Sequence, residues 1–186
     1  LESAPSSCQA AVVIDVCRAF TTAAFAFNVG ASNVIMTDTV ENALKLKAAY
    51  SGSLVMGEVG GAVVPGFDLW NSPTEMEKKD LSGRTIIQRT SSGTQGMVMY
   101  NHKQPLLAGS FVIADATIAY LTEHELGSLT LVVTGTRNGM GGVEDFALAE
   151  YLEARLSGKL VDAKPFLNRA STWVGYAQPD DTETNR

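Results

Sequence analysis

Short apolar runs alternate with helical patterns along most of the chain. Residues 11–16 (AVVIDV) form a compact, β-branched run of the kind that is buried on both faces of a sheet. A helical pattern follows over residues 18–28 and stops at Gly30. Residues 33–37 (NVIMT) read as a second strand. Residues 39–50 read as a helix with Thr39 as its N-cap, and residues 53–56 (SLVM) as a third strand. Residues 57–73 break the rhythm, with four glycines and two prolines in 17 positions and no period. An irregular stretch of that length inside a compact domain is uncommon and often functional. The alternation then resumes with strands over 85–89, 106–110 and 129–134. Helices are expected over 93–101, 115–125 and 143–156. The pattern weakens beyond Lys159, and residues 179–186 are polar and read as a frayed end.

Alternation of this kind implies an α/β fold, a three-layer α/β/α arrangement. Its sheet would be largely parallel or mixed, as one domain over residues 1–186 or as two α/β lobes sharing a core. A start on Leu1 rather than Met reads as a trimmed end. Ligands of such sheets bind outside the carboxyl ends of the strands, so the strand-to-helix junctions are where chemistry is expected.

Composition narrows the classes. Fourteen basic residues against 20 acidic ones give a net charge of −6, the wrong sign for a nucleic-acid binder, which needs concentrated Lys and Arg. No apolar run reaches the ~20 residues that span a bilayer, and no signal peptide is evident, so a cytoplasmic protein without a membrane partner is expected. The two cysteines, Cys8 and Cys17, lack zinc-ligand spacing; a disulfide between them is improbable, and Cys17 reads as a buried thiol. His102 and His124 fall at helix ends away from the junctions, which disfavours Ser-His or Cys-His nucleophilic catalysis. Oligomeric state is not legible in the sequence, though a homo-oligomer is common for compact enzymes.

Four junctions carry candidate chemistry. Asp15 lies in an apolar strand run and is costly to bury unpaired; it points out at the strand end, pairs with Arg18 or holds a cation. Glu58 follows the third strand and is either a metal ligand, a general base or an exposed loop residue. In the same irregular stretch, Asn71 either binds a ligand or makes an Asx-turn, and Ser72 before Pro73 fits an N-cap with Pro at N1. Thr90, Ser91, Gly93 and Thr94 open a helix with hydroxyls and backbone N–H groups. They make either a phosphate cradle or a simple cap, though not a Walker loop. Arg137 lies in a glycine-rich turn and could grip an oxyanion. Glu144 and Asp145 follow in a first helical turn, where the dipole favours acids in any case. Asp15, Glu58, Glu144 and Asp145 together suggest a hard cation such as Mg2+ bridging to a substrate phosphate.

The ordered stretches VVIDVCRAFTTAAFAFNVGA, GEVGGAVVPGFDLWNSPTEM, RTSSGTQG, LLAGSFVIADA and VTGTRNGMGGVEDFALAEYL resemble those of the 2-phosphosulfolactate phosphatase family over roughly residues 11–156. The resemblance implies a cytoplasmic, Mg2+-dependent phosphatase acting on 2-phosphosulfolactate, on a route to coenzyme M. The family pattern carries onto Asp15, Arg18, Glu58, Asn71, Ser72, Thr90, Gly93, Thr94, Glu144 and Asp145. Asp15, Arg18 and Glu58 are expected to act in catalysis, and Asn71, Ser72, Thr90, Gly93 and Thr94 to bind the substrate, with Ser91 and Arg137 joining them from their places in the two donor-rich turns. Val59, Ser92 and Ile113 stand where the family pattern has Arg, Asn and Asn. A non-catalytic sensor of a small phosphorylated or sulfonated metabolite is the alternative on the same scaffold.

Overall fold

The computed structural model describes residues 8–102, 105–135 and 142–172. Among these the strands form two sheets, and every strand pair is parallel. The first sheet has the order β6-β1-β7, with β1 at Ala10–Ile14, β6 at Leu106–Gly109 and β7 at Leu129–Val133. The second has the order β2-β5-β3-β4, with β2 at Asn33–Met36, β3 at Leu54–Gly57, β4 at Leu69–Trp70 and β5 at Thr85–Arg89. The chain leaves the first sheet after β1, builds the whole second sheet, and returns for β6 and β7. The α/β expectation holds, and it takes the form of two sheets.

β1 is buried along its whole length, as its β-branched composition requires. Val12 and Ile14 face Leu148, Tyr151 and Leu152 of helix α6 (Val143–Leu156), together with Ala114 and Leu121 of α5 (Ala114–Glu123). Ala11 and Val13 face the other way, onto Ala19, Phe20 and Tyr100. Burying a leucine such as Leu148 contributes about 1.5–3 kcal/mol. In the second sheet, Met56 and Ile86 pack under α1 (Thr21–Asn28) and α3 (Pro73–Met76) through Ala26 and Met76. Val55 and Ile87 meet Ala43 of α2 (Val40–Ala49) on the opposite face. Thr39 caps α2 as expected, accepting from the N–H of Asn42 at 3.0 Å.

Helix α4 (Gly93–Met99) follows β5 of the second sheet but lies on β1 of the first. A Cβ at Gly96 would stand 2.6 Å from Val13 Cγ1 and 2.9 Å from Thr134 Cγ2, so only glycine lets the helix come this close. Gln88 of β5 ties the sheets from below, its Nε2 donating to the Ala19 carbonyl at 2.8 Å.

Three elements differ from the pattern-based expectation. The first helix begins at Thr21, after a wide turn over Val16–Phe20 in which Cys17 is non-helical (φ −118°, ψ 87°) and the Cys17–Arg18 peptide is cis. The irregular stretch contains the two-residue strand β4, too short to leave a periodic signal. A further helix, α7 (Lys164–Ala170), docks on α6 where the pattern had weakened. Among the described residues no helix is long and apolar enough to cross a membrane. The expected frayed end at 179–186 lies outside the described residues.

Gly96→Ala should lower stability by about 1–3 kcal/mol through overpacking between α4 and β1. Gly127→Ala should stay within about 0.5 kcal/mol, since its new methyl meets only the mobile end of Gln9. Urea unfolding of the two variants checks this, and equal midpoints would contradict the seating of α4.

Candidate active site

Parallel pairing aligns the carboxyl ends of the strands, and the junction residues collect there. Asp15 leaves β1 in an extended conformation, and its Oδ1 accepts from the Ala19 N–H at 3.0 Å. The Gly93 N–H at the start of α4 also donates to this carboxylate. Gly93 is required for that approach: a Cβ there would lie 2.8 Å from Asp15 Oδ2. Burial pushes the Asp15 carboxyl above its ordinary range, and the Glu58 charge adds to the push.

Asp145, in the first turn of α6, bridges two junctions. Its Oδ1 accepts from the Val16 N–H at 2.7 Å, and its Oδ2 from the Gly135 N–H at 2.9 Å. Burial, followed by the charge of Asp15, pushes its pKa up to about 8. Its neighbour Glu144 is also buried, and Glu144 Oε2 has no hydrogen-bond partner. Burial and then the charge of Asp15 raise the Glu144 pKa as well.

Glu58 sits otherwise than expected. Its Oε1 accepts from the Ser91 N–H at 2.6 Å; its Oε2 accepts from the Gly61 N–H at 2.5 Å and from Ser91 Oγ at 3.0 Å. Glu58 therefore clasps the irregular stretch to the turn after β5, and both its oxygens are engaged. The same bonds show what the turn read as either a phosphate cradle or a simple cap does within the protein. The Ser91 donors go to Glu58, the Gly93 N–H goes to Asp15, and Thr90 and Thr94 bond each other reciprocally. The turn holds carboxylates with the donors a phosphate would have used.

Ser72 is the structural cap that its place before Pro73 suggested, accepting from the Glu75 N–H at 3.4 Å. Asn71 is different: it is buried at the end of β4, and its Oδ1 has no partner. Arg18 makes no salt bridge to Asp15; its guanidinium lies over the Trp70 ring, 4.6 Å from the centroid. Trp70 went unremarked in the sequence, and its only signal was an aromatic residue beside Asn71 in the irregular stretch. Arg137 lies outside the described residues.

Cys17 is half-buried rather than buried. Burial, then the Glu144 and Asp145 charges, push its thiol up to about 12, so it is no nucleophile. Neither cysteine is in a disulfide. His102 stacks on Tyr100 and His124 on Tyr120, and neither enters the carboxylate group.

All four acidic candidates thus lie near the end of β1, and Asp15 feels Glu58 while Glu144 and Asp145 feel Asp15. Among the described residues no three His, Cys, Asp or Glu side chains converge as a ready metal centre. The donor set still fits Mg2+, which takes one or two carboxylates and completes its shell with water and substrate phosphate. Of such a pair, the unpartnered Glu144 oxygen would be one donor and the neighbouring Asp15, which also accepts from backbone N–H groups, would be the other.

Comparison with known proteins identifies the family. The family model for 2-phosphosulpholactate phosphatase matches residues 2–175. A probable 2-phosphosulfolactate phosphatase of Thermotoga petrophila is 41% identical over 152 residues, covering 82% of this chain and 64% of its own length. One from Carboxydothermus hydrogenoformans is 40% identical over 149 residues, covering 80% and 61%. One from Bacillus subtilis is 31% identical over 147 residues, covering 79% and 64%. The chain spans less than two thirds of the length of these relatives. With nearly all of its residues inside the matched region, the chain belongs to the 2-phosphosulpholactate phosphatase family.

Proposed function

We propose that the protein is a phosphatase for a small phosphorylated organic acid, nominally 2-phosphosulfolactate, which it hydrolyses to sulfolactate and phosphate, the reaction type of a route to coenzyme M. The observation that carries this reading is the Asp15–Glu144 pair. Two buried carboxylates stand at the meeting of the strand ends, one of them with a free oxygen, where a phosphate-bound cation would offset their charge. The names of the relatives support the same activity.

In this reading Asp15 and Glu144 hold Mg2+. Bound there, the ion supplies charge neutralisation on the phosphoryl oxygens and an acidified water. The protein's own residues do the rest. Backbone N–H groups of Ala19 and Gly93 fix the Asp15 carboxylate. Asp145 fixes the first turn of α6, and with it Glu144, by gripping the Val16 and Gly135 N–H groups. Arg18, whose guanidinium lies over Trp70, would donate to an acidic oxygen of the substrate. Hydrolysis breaks the bond between phosphorus and the ester oxygen; water supplies the new P–O bond, and a proton passes to the departing alkoxide.

Asp15→Asn should lower kcat about 100- to 1,000-fold, and Arg18→Ala should lower kcat/KM by a similar factor, on 2-phosphosulfolactate. Phosphate release by both variants at the parent rate would overturn the assignment. Binding of the substrate without turnover by the parent would leave a ligand-binding module instead.

The raised carboxyls give a second test, independent of activity. A carboxyl whose folded pKa exceeds its unfolded value binds more protons in the fold, so stability falls as pH rises between the two values. For Asp145 that window runs from the ordinary carboxylate range to about 8. Without metal, Tm should therefore fall between pH 6 and pH 8.5, less steeply in Asp145→Asn. Mg2+ must displace protons to bind, so its stabilisation of the parent should be larger at pH 8.5 than at pH 6. A Mg2+ shift in Tm that is absent, or independent of pH, would count against the cation site.

A further inference from the structure

Ser110 follows β6 as Asp15 follows β1. The two strands pair in parallel with Val13 opposite Ala108 and Ile14 opposite Gly109, and the Asp15 N–H donates to the Gly109 carbonyl at 3.3 Å. One further step along this register sets Ser110 beside Asp15, with both residues extended. Paired residues of neighbouring strands share a face. Ala108 and Val13 both pack on the α4 side, so Ser110 falls on that side with Asp15. Thr134, one step past the β7 partner of Ile14, falls there too, as its approach to Gly96 requires.

Thr134 spends its hydroxyl on the Ile14 carbonyl at 2.8 Å. Ser110 spends its hydroxyl on nothing: the residue is 0% exposed, and its Oγ has no partner. The ordinary reason for a serine here would be capping. Ser110 does precede the single helical turn Phe111–Ile113 that leads into α5, but its side chain makes no cap bond. Leaving a hydroxyl buried and unpaired costs the fold free energy and returns none. Alanine would fill the place better if packing were the only demand.

We propose that Ser110 is a substrate-binding residue whose hydroxyl donates to an anionic oxygen of a phosphate group that binds the cation held by Asp15 and Glu144. The inference rests on the phosphatase reading only for where the phosphate sits; it concerns binding, not turnover. Asp15 offers acceptors alone once ionised, and a phosphate brings a further acceptor to this donor. Removal of one hydrogen bond to a charged group weakens binding about 10- to 100-fold.

The test uses inorganic phosphate with Mg2+ as the probe, read by titration calorimetry on the parent, Ser110→Ala and Ser110→Cys, with Tm measured in parallel. Ser110→Ala should keep or raise the parental Tm while weakening phosphate binding at least about 10-fold. Ser110→Cys, similar in size with a weaker donor, should fall between. A parental affinity in Ser110→Ala overturns the proposal, whether or not Tm falls, and so does a parent that binds no phosphate. A parent that binds phosphate in a Ser110-dependent way but hydrolyses no phosphate ester upholds Ser110 and removes the enzymatic reading instead.

Discussion

Everything at the strand ends depends on how the protein tolerates Asp15, Glu58, Glu144 and Asp145 crowded at the end of one buried strand. Like charges in a low-dielectric setting repel and lose hydration, and the usual remedy is a cationic partner. Here the compensation comes from main-chain N–H groups: Ala19 and Gly93 for Asp15, Val16 and Gly135 for Asp145, Ser91 and Gly61 for Glu58. That choice dictates much of the surrounding chain. A side chain at Gly135 would press on Asp145 Oδ2 from 2.5 Å, so the glycine is the condition for the carboxylate to reach its donor. Glu144 alone keeps an oxygen uncompensated, and the asymmetry marks it as the group left for a ligand.

The two-sheet layout serves the same arrangement. A single sheet would place its strand ends along one line. Here the chain closes the second sheet before returning to the first, and α4 crosses between them. The start of that helix delivers Gly93 to Asp15, while Gln88 of the preceding strand holds Ala19. Position 15 is thereby fixed from both sheets at once.

The local parts of this were legible in the sequence, and the relational parts were not. The β-branched run at residues 11–16 announced a strand buried on both sides, and Thr39 and Ser72 announced caps, because those signals depend on a few neighbouring residues. Strand partnership is a long-range matter, so nothing in the alternation separates one sheet from two. The Thr90–Thr94 turn illustrates the same limit for chemistry. Its composition marks a place rich in donors, but whether those donors face a foreign anion or the protein's own Glu58 and Asp15 depends on residues more than thirty positions away. Ser110 lay inside a stretch that carried the family resemblance, yet only burial and the missing cap bond distinguish it from an ordinary strand-end serine.

The same crowding has an effect on sulfur chemistry. Cys17 stands in the turn after Asp15, three positions past the end of β1. Surrounding carboxylates and burial hold it in the protonated form at any physiological pH. Oxidants and alkylating agents attack the thiolate, so the residue is chemically quiet despite being only half-buried. Burial and a site assembled from acids thus disfavour the thiolate of the cysteine beside them.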